Sequence, residues 1–241
     1  MLLRLGPHTS PAHRTRPSRS TPMKLPLLLL AAYARFTRAF DDDEDFDYVT
    51  CGSTLKLKHR TGFHLHSHDI NWGSGSGQQS VTAMKSSDDT NSLWTVASPH
   101  GKPTCIQGSL IKCGQVVRLV HHNTKKYLHS HRHASPVSRR FEISGYGNSR
   151  ENHSDPGDNW IVKCDSHSGY WQRDSLVKLM HPNTGSCLFA EKKTAFTQQN
   201  CRNCPIVGQL EVSGLQQCQH IASKDAEWKA ADGIFFAKRE L

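Results

Sequence analysis

VRLVHHNTKKYLHSH, residues 117–131, holds two short runs of alternating apolar and polar residues on either side of a polar turn. Val117 and Leu119 alternate in the first run, and Leu128 anchors the second between Tyr127 and His129. Strand side chains alternate between two faces, so the pattern is that of half-buried β-strands. The words recur along the chain. LKLKH (55–59) and VKLMH (177–181) align with VRLVH (117–121), bringing Leu57, Leu119 and Leu179 into register. HLHSH (64–68) and CLFAE (187–191) align with YLHSH (127–131) on Leu65, Leu128 and Leu188. A third run is SVTAM, EISGY and EVSGL, aligned on Val81, Ile143 and Val212. A fourth is LWTV, NWIV and EWKA, aligned on Trp94, Trp160 and Trp228. The order of the four landmarks never changes.

Four short strands repeated three times predict an all-β domain of about twelve strands. A sandwich whose strands share the usual alternation is the alternative. Recurrence of four landmarks in order, tryptophans included, favours a threefold barrel capped by hairpins, the β-trefoil, whose closure protects sheet edges. Leu57, Leu119 and Leu179 should then occupy corresponding places around one axis. Each tryptophan should fill a large volume near a module boundary.

The net charge of +9 is unevenly placed. Arg4, Arg14, Arg16, Arg19, Lys24, Arg35 and Arg38 fall within residues 1–39, where there is no Asp or Glu, leaving +2 for residues 40–241. A near-balanced remainder argues against a nucleic-acid partner. The run LPLLLLAAYA, residues 25–34, follows Lys24 and is too short to cross a bilayer, but it suits a secretory signal with cleavage before Phe40. An organellar transit peptide is the alternative for the acid-free start, and Met23 is an alternative start site. The last four residues, KREL (238–241), approach a KDEL-type retrieval address. Together the two ends imply a protein of the endoplasmic reticulum lumen that does not span a membrane. The expected organisation is a leader over 1–39, an acidic tail over 40–47, a trefoil over 48–236 and a retrieval-like tail over 237–241.

LHSHDINWGSGSGQQSVT (65–82), IKCGQVVRLVH (111–121) and YLHSH (127–131) closely resemble the stromal cell-derived factor 2 family. WQRDSLVKLMH (171–181) and EWKAADGIFF (227–236) carry the resemblance through the third repeat, so it spans about residues 47–236. It implies three MIR motifs forming a β-trefoil, similar to the lumenal MIR domain of protein O-mannosyltransferases. It also implies an endoplasmic reticulum protein that joins a J-domain co-chaperone and BiP in handling unfolded clients. Two features depart from the family: the third repeat carries the insertion QNCRNCPIVG (199–208), and the acidic tract DDDEDFD (41–47) is heavy.

Eight cysteines in a secreted chain point to disulfides. Cys51 opens the first repeat and Cys105 follows its end; Cys113 and Cys164 stand likewise around the second. First and last strands of a closed unit lie close together, so Cys51–Cys105 and Cys113–Cys164 are expected as equivalent staples. Cys187, Cys201, Cys204 and Cys218 all fall in the third repeat and are expected to be structural, with their pairing open. Alternatives there are a zinc site of four thiolates and a redox role for the lone CxxC, which lacks a thioredoxin-like strand-helix context.

Histidines at alternate positions of one strand share a face, so His64, His66 and His68 form one set and His129, His131 and His133 another. A metal is one reading, but the two words lie on different modules, and the third copy has Phe189 and Glu191 instead; no metal or other cofactor is expected. His66, His68, Asp69, His129 and His131, near the polar loop GSGSGQQ, are the candidates for partner or ligand contact. The competing reading is histidines hydrogen-bonded within the barrel. Asn152 begins an N-x-S sequon, a candidate glycan attachment point. DDDEDFD suits a solvated tail better than a calcium site.

No nucleophile elbow, phosphate loop or HExxH helix occurs. The expected function is a non-enzymatic adaptor that binds a J-domain co-chaperone with a BiP-type chaperone and keeps unfolded clients soluble. The rival is a mannose-type glycan-binding module in which Tyr127, Trp72 and Phe63 supply stacking faces. O-mannosyl transfer ranks third, because the membrane-spanning catalytic portion of such transferases is missing.

Overall fold

The computed structural model describes residues 46–164, 166–218 and 224–239. The expected leader, most of the acidic tract and the end of KREL lie outside the described residues. The first module holds strands β1 (Thr54–His59), β2 (His64–Asn71), β3 (Gln79–Met84) and β4 (Leu93–Ala97). The second holds β5 (Val116–His121), β6 (Tyr127–Ala134), β7 (Phe141–Tyr146) and β8 (Trp160–Lys163). The third holds β9 (Leu176–His181), β10 (Ser186–Ala195), β11 (Leu210–Leu215) and β12 (Trp228–Ile234). No helix among the described residues is long and apolar enough to cross a membrane.

The antiparallel pairings close on themselves. β1 pairs with β4, β4 with β5, β5 with β8, β8 with β9, β9 with β12 and β12 with β1, a six-stranded ring. The remaining strands form hairpins β2–β3, β6–β7 and β10–β11. These hairpins meet pairwise through β3–β7, β7–β11 and β11–β3, a triangular cap over the barrel. This is a β-trefoil. The ring leaves the barrel no free edge.

The registers repeat with the modules. Leu57 faces Ala230, Leu119 faces Val96 and Leu179 faces Val162, and all three leucines are fully buried. Leu55, Val117 and Val177 pair with Trp94, Trp160 and Trp228. The leucines therefore occupy corresponding places around the barrel axis. At the base the backbone makes its own triangle: Val49 N–H donates to Trp171 O at 2.9 Å, Ile111 N–H to Val49 O at 3.2 Å and Trp171 N–H to Ile111 O at 2.8 Å.

Barrel and cap are joined three times in the same way. The buried indole N–H of Trp94 donates to Leu65 O at 3.0 Å, that of Trp160 to Leu128 O at 2.8 Å and that of Trp228 to Leu188 O at 3.0 Å. Each bond satisfies the polar handle of a ring that otherwise packs as a hydrocarbon. Against each indole lies the histidine that ends a neighbouring module's first strand: His121 on Trp94, His181 on Trp160 and His59 on Trp228, at 4.9–5.2 Å between ring centroids.

These three histidines are buried and partnered alike. The Nδ1 of His59, His121 and His181 meets the hydroxyl of Thr61, Thr124 and Thr184 at 2.7–2.8 Å. Their Nε2 meets the carbonyls of Asp225, Asn91 and Gly157 at 2.9–3.0 Å. A carbonyl only accepts, so Nε2 carries the proton and Nδ1 accepts: a neutral imidazole. Burial pushes the pKa of all three down, outweighing the carbonyl contacts that raise it, to about 4 for His181.

All eight cysteines are paired. Cys51–Cys105 and Cys113–Cys164 each join the start of a module to the segment after its last strand. Closing loops this long is worth about 4 kcal/mol apiece in the chain-entropy model. In the third module the pairs are Cys187–Cys218 and Cys201–Cys204, which rules out a zinc site of four free thiolates.

The inserted loop has a structural counterpart in the other modules. Buried Glu142 accepts from the backbone N–H of Ser76 at 3.3 Å and from its hydroxyl, and so clamps the first module's hairpin loop. Glu211 clamps the second module's loop through Val137 N–H at 2.7 Å and Ser138 N–H at 3.0 Å. In the first module the corresponding residue is Ser80, which cannot clamp the third loop in that way. That loop is longer, carries its own Cys201–Cys204 bridge, and packs Phe196 and Ile206 against Trp72.

Candidate functional site

Each module has an outer niche between the first strand of its hairpin and the turn before its tryptophan. In the first module Leu65 points into the core, so His66 and His68 take the outward face of β2. Asp89 caps the 3-10 turn Thr90–Ser92 that lies over them. Its Oδ1 accepts from the backbone N–H of Asn91 at 2.8 Å and from the Asn91 side chain at 3.0 Å. Its Oδ2 lies 4.0 Å from His66 Nε2.

The two histidines meet tip to tip, His66 Nε2 to His68 Nε2 at 2.7 Å, and His66 Nδ1 meets the Ser92 hydroxyl at 3.0 Å. Burial first, and then the neighbouring His68, hold the His66 pKa down at about 4, against the attraction of Asp89. Burial raises the Asp89 carboxyl, but the Asn91 donors and the two histidines outweigh it and hold the group below its usual range.

The second module builds the niche differently. His129 Nδ1 donates to Asp158 Oδ1 at 2.9 Å, with Asp155 Oδ1 at 3.6 Å. Asp155 and Asp158 cap the turn Pro156–Asp158 reciprocally, a capping box. Asp158 Oδ2 also accepts from the Ser154 hydroxyl at 2.8 Å and from Asp155 N–H at 2.9 Å. A Cβ on Gly157 would stand 2.3 Å from His129 Cε1, so the close approach of ring and turn requires glycine. His131 Nε2 meets Glu142 Oε1 at 2.9 Å, and its ring abuts the exposed His133. A cavity of about 370 Å³ opens here, lined by His129, His131, Asp155, Gly157, His181 and Thr184 among others.

The described part of the third niche is apolar at its centre. Phe189 stands where the others have His66 and His129, and Ala226 stands where they have Ser92 and Asp158. Both are buried in a cluster with the Cys187–Cys218 bridge. The Arg140 guanidinium lies over the Phe189 ring at 4.6 Å and binds Glu191 at 2.7 Å.

Of the residues singled out in the sequence, His66 and His68 come together, as do His131 and His133. The two histidine words remain on separate modules, yet convergence with acids occurs inside each of the first two. Asp69 is exposed, and the carboxylate beside His66 belongs instead to Asp89. Asn152 is exposed in a turn at φ +53°. The aromatic faces counted for sugar stacking are engaged in packing. Trp72 is buried and donates to Ile143 O at 3.0 Å, Tyr127 is buried under Arg118, and Phe63 packs on the core. Asp89 and Asp155 were missed, although each stands five residues before a landmark tryptophan.

A MIR-domain family model matches residues 47–220. A stromal cell-derived factor 2-like protein of Dictyostelium discoideum is 42% identical over 202 residues, 82% of this chain and 89% of that protein. Stromal cell-derived factor 2 of Homo sapiens is 41% identical over 218 residues, 90% of this chain and 94% of that protein. Among solved structures, the SDF2-like protein from Arabidopsis thaliana superposes with a TM-score of 0.71 at 38% identity. That match covers 80% of this chain and 99% of the other.

Proposed function

The chain belongs to the stromal cell-derived factor 2 family, and from that premise we propose that it is a non-enzymatic chaperone adaptor of the endoplasmic reticulum lumen. It binds a J-domain co-chaperone working with a BiP-type chaperone, and keeps unfolded or misfolded clients soluble in quality control. The observation that carries this reading is the near full-length correspondence with its relatives, which leaves little of either chain unmatched. Complete pairing of the cysteines supports an oxidising compartment. The adaptor works by surface complementarity on a disulfide-stiffened scaffold. Of the five residues expected at a contact surface, exposed Asp69 and half-buried His68 and His131 are the ones accessible from outside.

The test is light scattering from an unfolding client mixed with the purified protein, a J-domain co-chaperone, a BiP-type chaperone and ATP. Aggregation should slow most when all are present. Unchanged aggregation in every mixture overturns the reading.

Glycan binding is the second reading, favoured by the cavity beside His129 and weakened by the engagement of Trp72 and Tyr127 in packing. Saturable mannose-type binding on a glycan array, lost in His129→Ala, would establish it in place of the adaptor.

A further inference from the structure

The three niches share one backbone frame and differ in what fills it. The third shows that the frame packs well with Phe189, Ala226 and a disulfide. The fold therefore does not require a histidine at this place, and the pair of His66 and His68 in the first module calls for another explanation.

The partners of the first-module histidines differ from those of the barrel histidines. His59, His121 and His181 each have one hydroxyl and one carbonyl, a matched acceptor and donor set for a neutral ring. His66 and His68 instead aim Nε2 at Nε2, with a carboxylate oxygen alongside. A single proton can occupy the space between two imidazole nitrogens, and it does not reach Asp89 Oδ2, 4.0 Å from His66 Nε2. A divalent cation would take both lone pairs and the carboxylate at once.

We propose that His66 Nε2, His68 Nε2 and Asp89 Oδ2 form a binding site for a borderline divalent metal ion of the zinc type. Two imidazoles and one carboxylate suit such an ion rather than calcium or magnesium, which prefer all-oxygen shells. Ligands about 2.1 Å from a tetrahedral zinc lie about 3.4 Å apart. The separations of 2.7 and 4.0 Å bracket that value, and all three ligand atoms lie within 4.8 Å of one another, so they close on an ion by movements of about 1 Å.

Two of the three ligands are already oriented through their other polar atom. His66 Nδ1 is held by Ser92, and Asp89 Oδ1 by Asn91, which leaves His66 Nε2 and Asp89 Oδ2 for the metal. This is the outer-shell arrangement that fixes metal-binding imidazoles and carboxylates. His66 is fully buried while His68 and Asp89 are half-buried, so the ion has an entry path and keeps a solvent-facing fourth position.

The second niche gathers His129, Asp155 and Asp158 but satisfies them internally. The His129 ring, the Ser154 hydroxyl and the N–H groups of Asp155 and Gly157 already donate to those carboxylates. It therefore serves as a control within the same molecule.

The experiment uses untagged full-length protein stripped with a chelator and titrated with Zn2+ against a chromophoric competitor. One equivalent should bind. His68→Asn and Asp89→Asn, both at half-buried positions, should weaken that equivalent by more than about 100-fold, while His129→Gln leaves it unchanged. Millimolar Ca2+ should not compete. Zinc bound equally well by His68→Asn and Asp89→Asn would mean binding to scattered surface histidines and would overturn the proposal. So would the absence of a stoichiometric site, or displacement by Ca2+. Circular dichroism of each variant separates loss of metal from loss of fold.

Discussion

The first and third niches are built on equivalent strands and turns, yet one holds His66, His68 and Asp89 and the other Phe189, Ala226 and a disulfide. What does not change between them lies one layer deeper. The tryptophan N–H bonded to a leucine carbonyl, and the neutral histidine behind it, recur in all three modules at nearly the same distances. The deep layer joins barrel to cap and recurs unchanged, and a lost partner there leaves a buried polar group unsatisfied. The outer layer diverges, with a different side-chain set closing it in each module.

The comparison breaks most directly at the deep layer. Trp160→Ala should cost about 3–5 kcal/mol, since it leaves a large cavity and frees the Leu128 carbonyl. A urea titration followed by circular dichroism reads the loss. A cost under about 1 kcal/mol would show that the tryptophan is not what fastens the hairpin.

Acid tests the same layer without mutation. His181 has a folded-state pKa of about 4, below the free value of 6.5, so the unfolded chain takes up the proton first. The stabilising contribution of the neutral ring is therefore complete above pH 6.5 and is lost as pH falls toward 4. At 1.36 kcal/mol per unit this amounts to roughly 3 kcal/mol for His181, and His59 and His121 shift in the same direction. Urea midpoints should fall steadily from pH 6.5 to 4.5; a flat profile would contradict a buried neutral triad.

The smallest effect is expected where the outer layers are exchanged. The double variant His66→Phe/Ser92→Ala gives the first niche the third niche's residues at those positions. Measured in chelator, it should change stability by no more than about 1 kcal/mol. A loss several times larger would make the first niche's polar set part of the scaffold.

Much of this was readable beforehand for a plain reason. Leu57, Leu119 and Leu179 repeat because each module buries its apolar face only against the next, so the same pattern must recur. The tryptophans stood out for the same cause. The inserted CRNC loop was visible as a departure, but its role was not: it occupies the corner where Ser80 stands in place of the clamping Glu142 and Glu211. The pairing of Cys187 with Cys218 and of Cys201 with Cys204 was equally hidden, since four cysteines within one repeat allow three arrangements.

Local alternation and repeat spacing, properties of neighbouring residues, sufficed to specify twelve strands and their threefold order. Which polar atoms meet did not follow from spacing. Asp89 stands 21 residues beyond His68, and Asp69 stands next to it, yet only the distant acid folds over the two imidazoles. A strand turns adjacent side chains to opposite faces, whereas the turn before the tryptophan returns a remote residue to the same face.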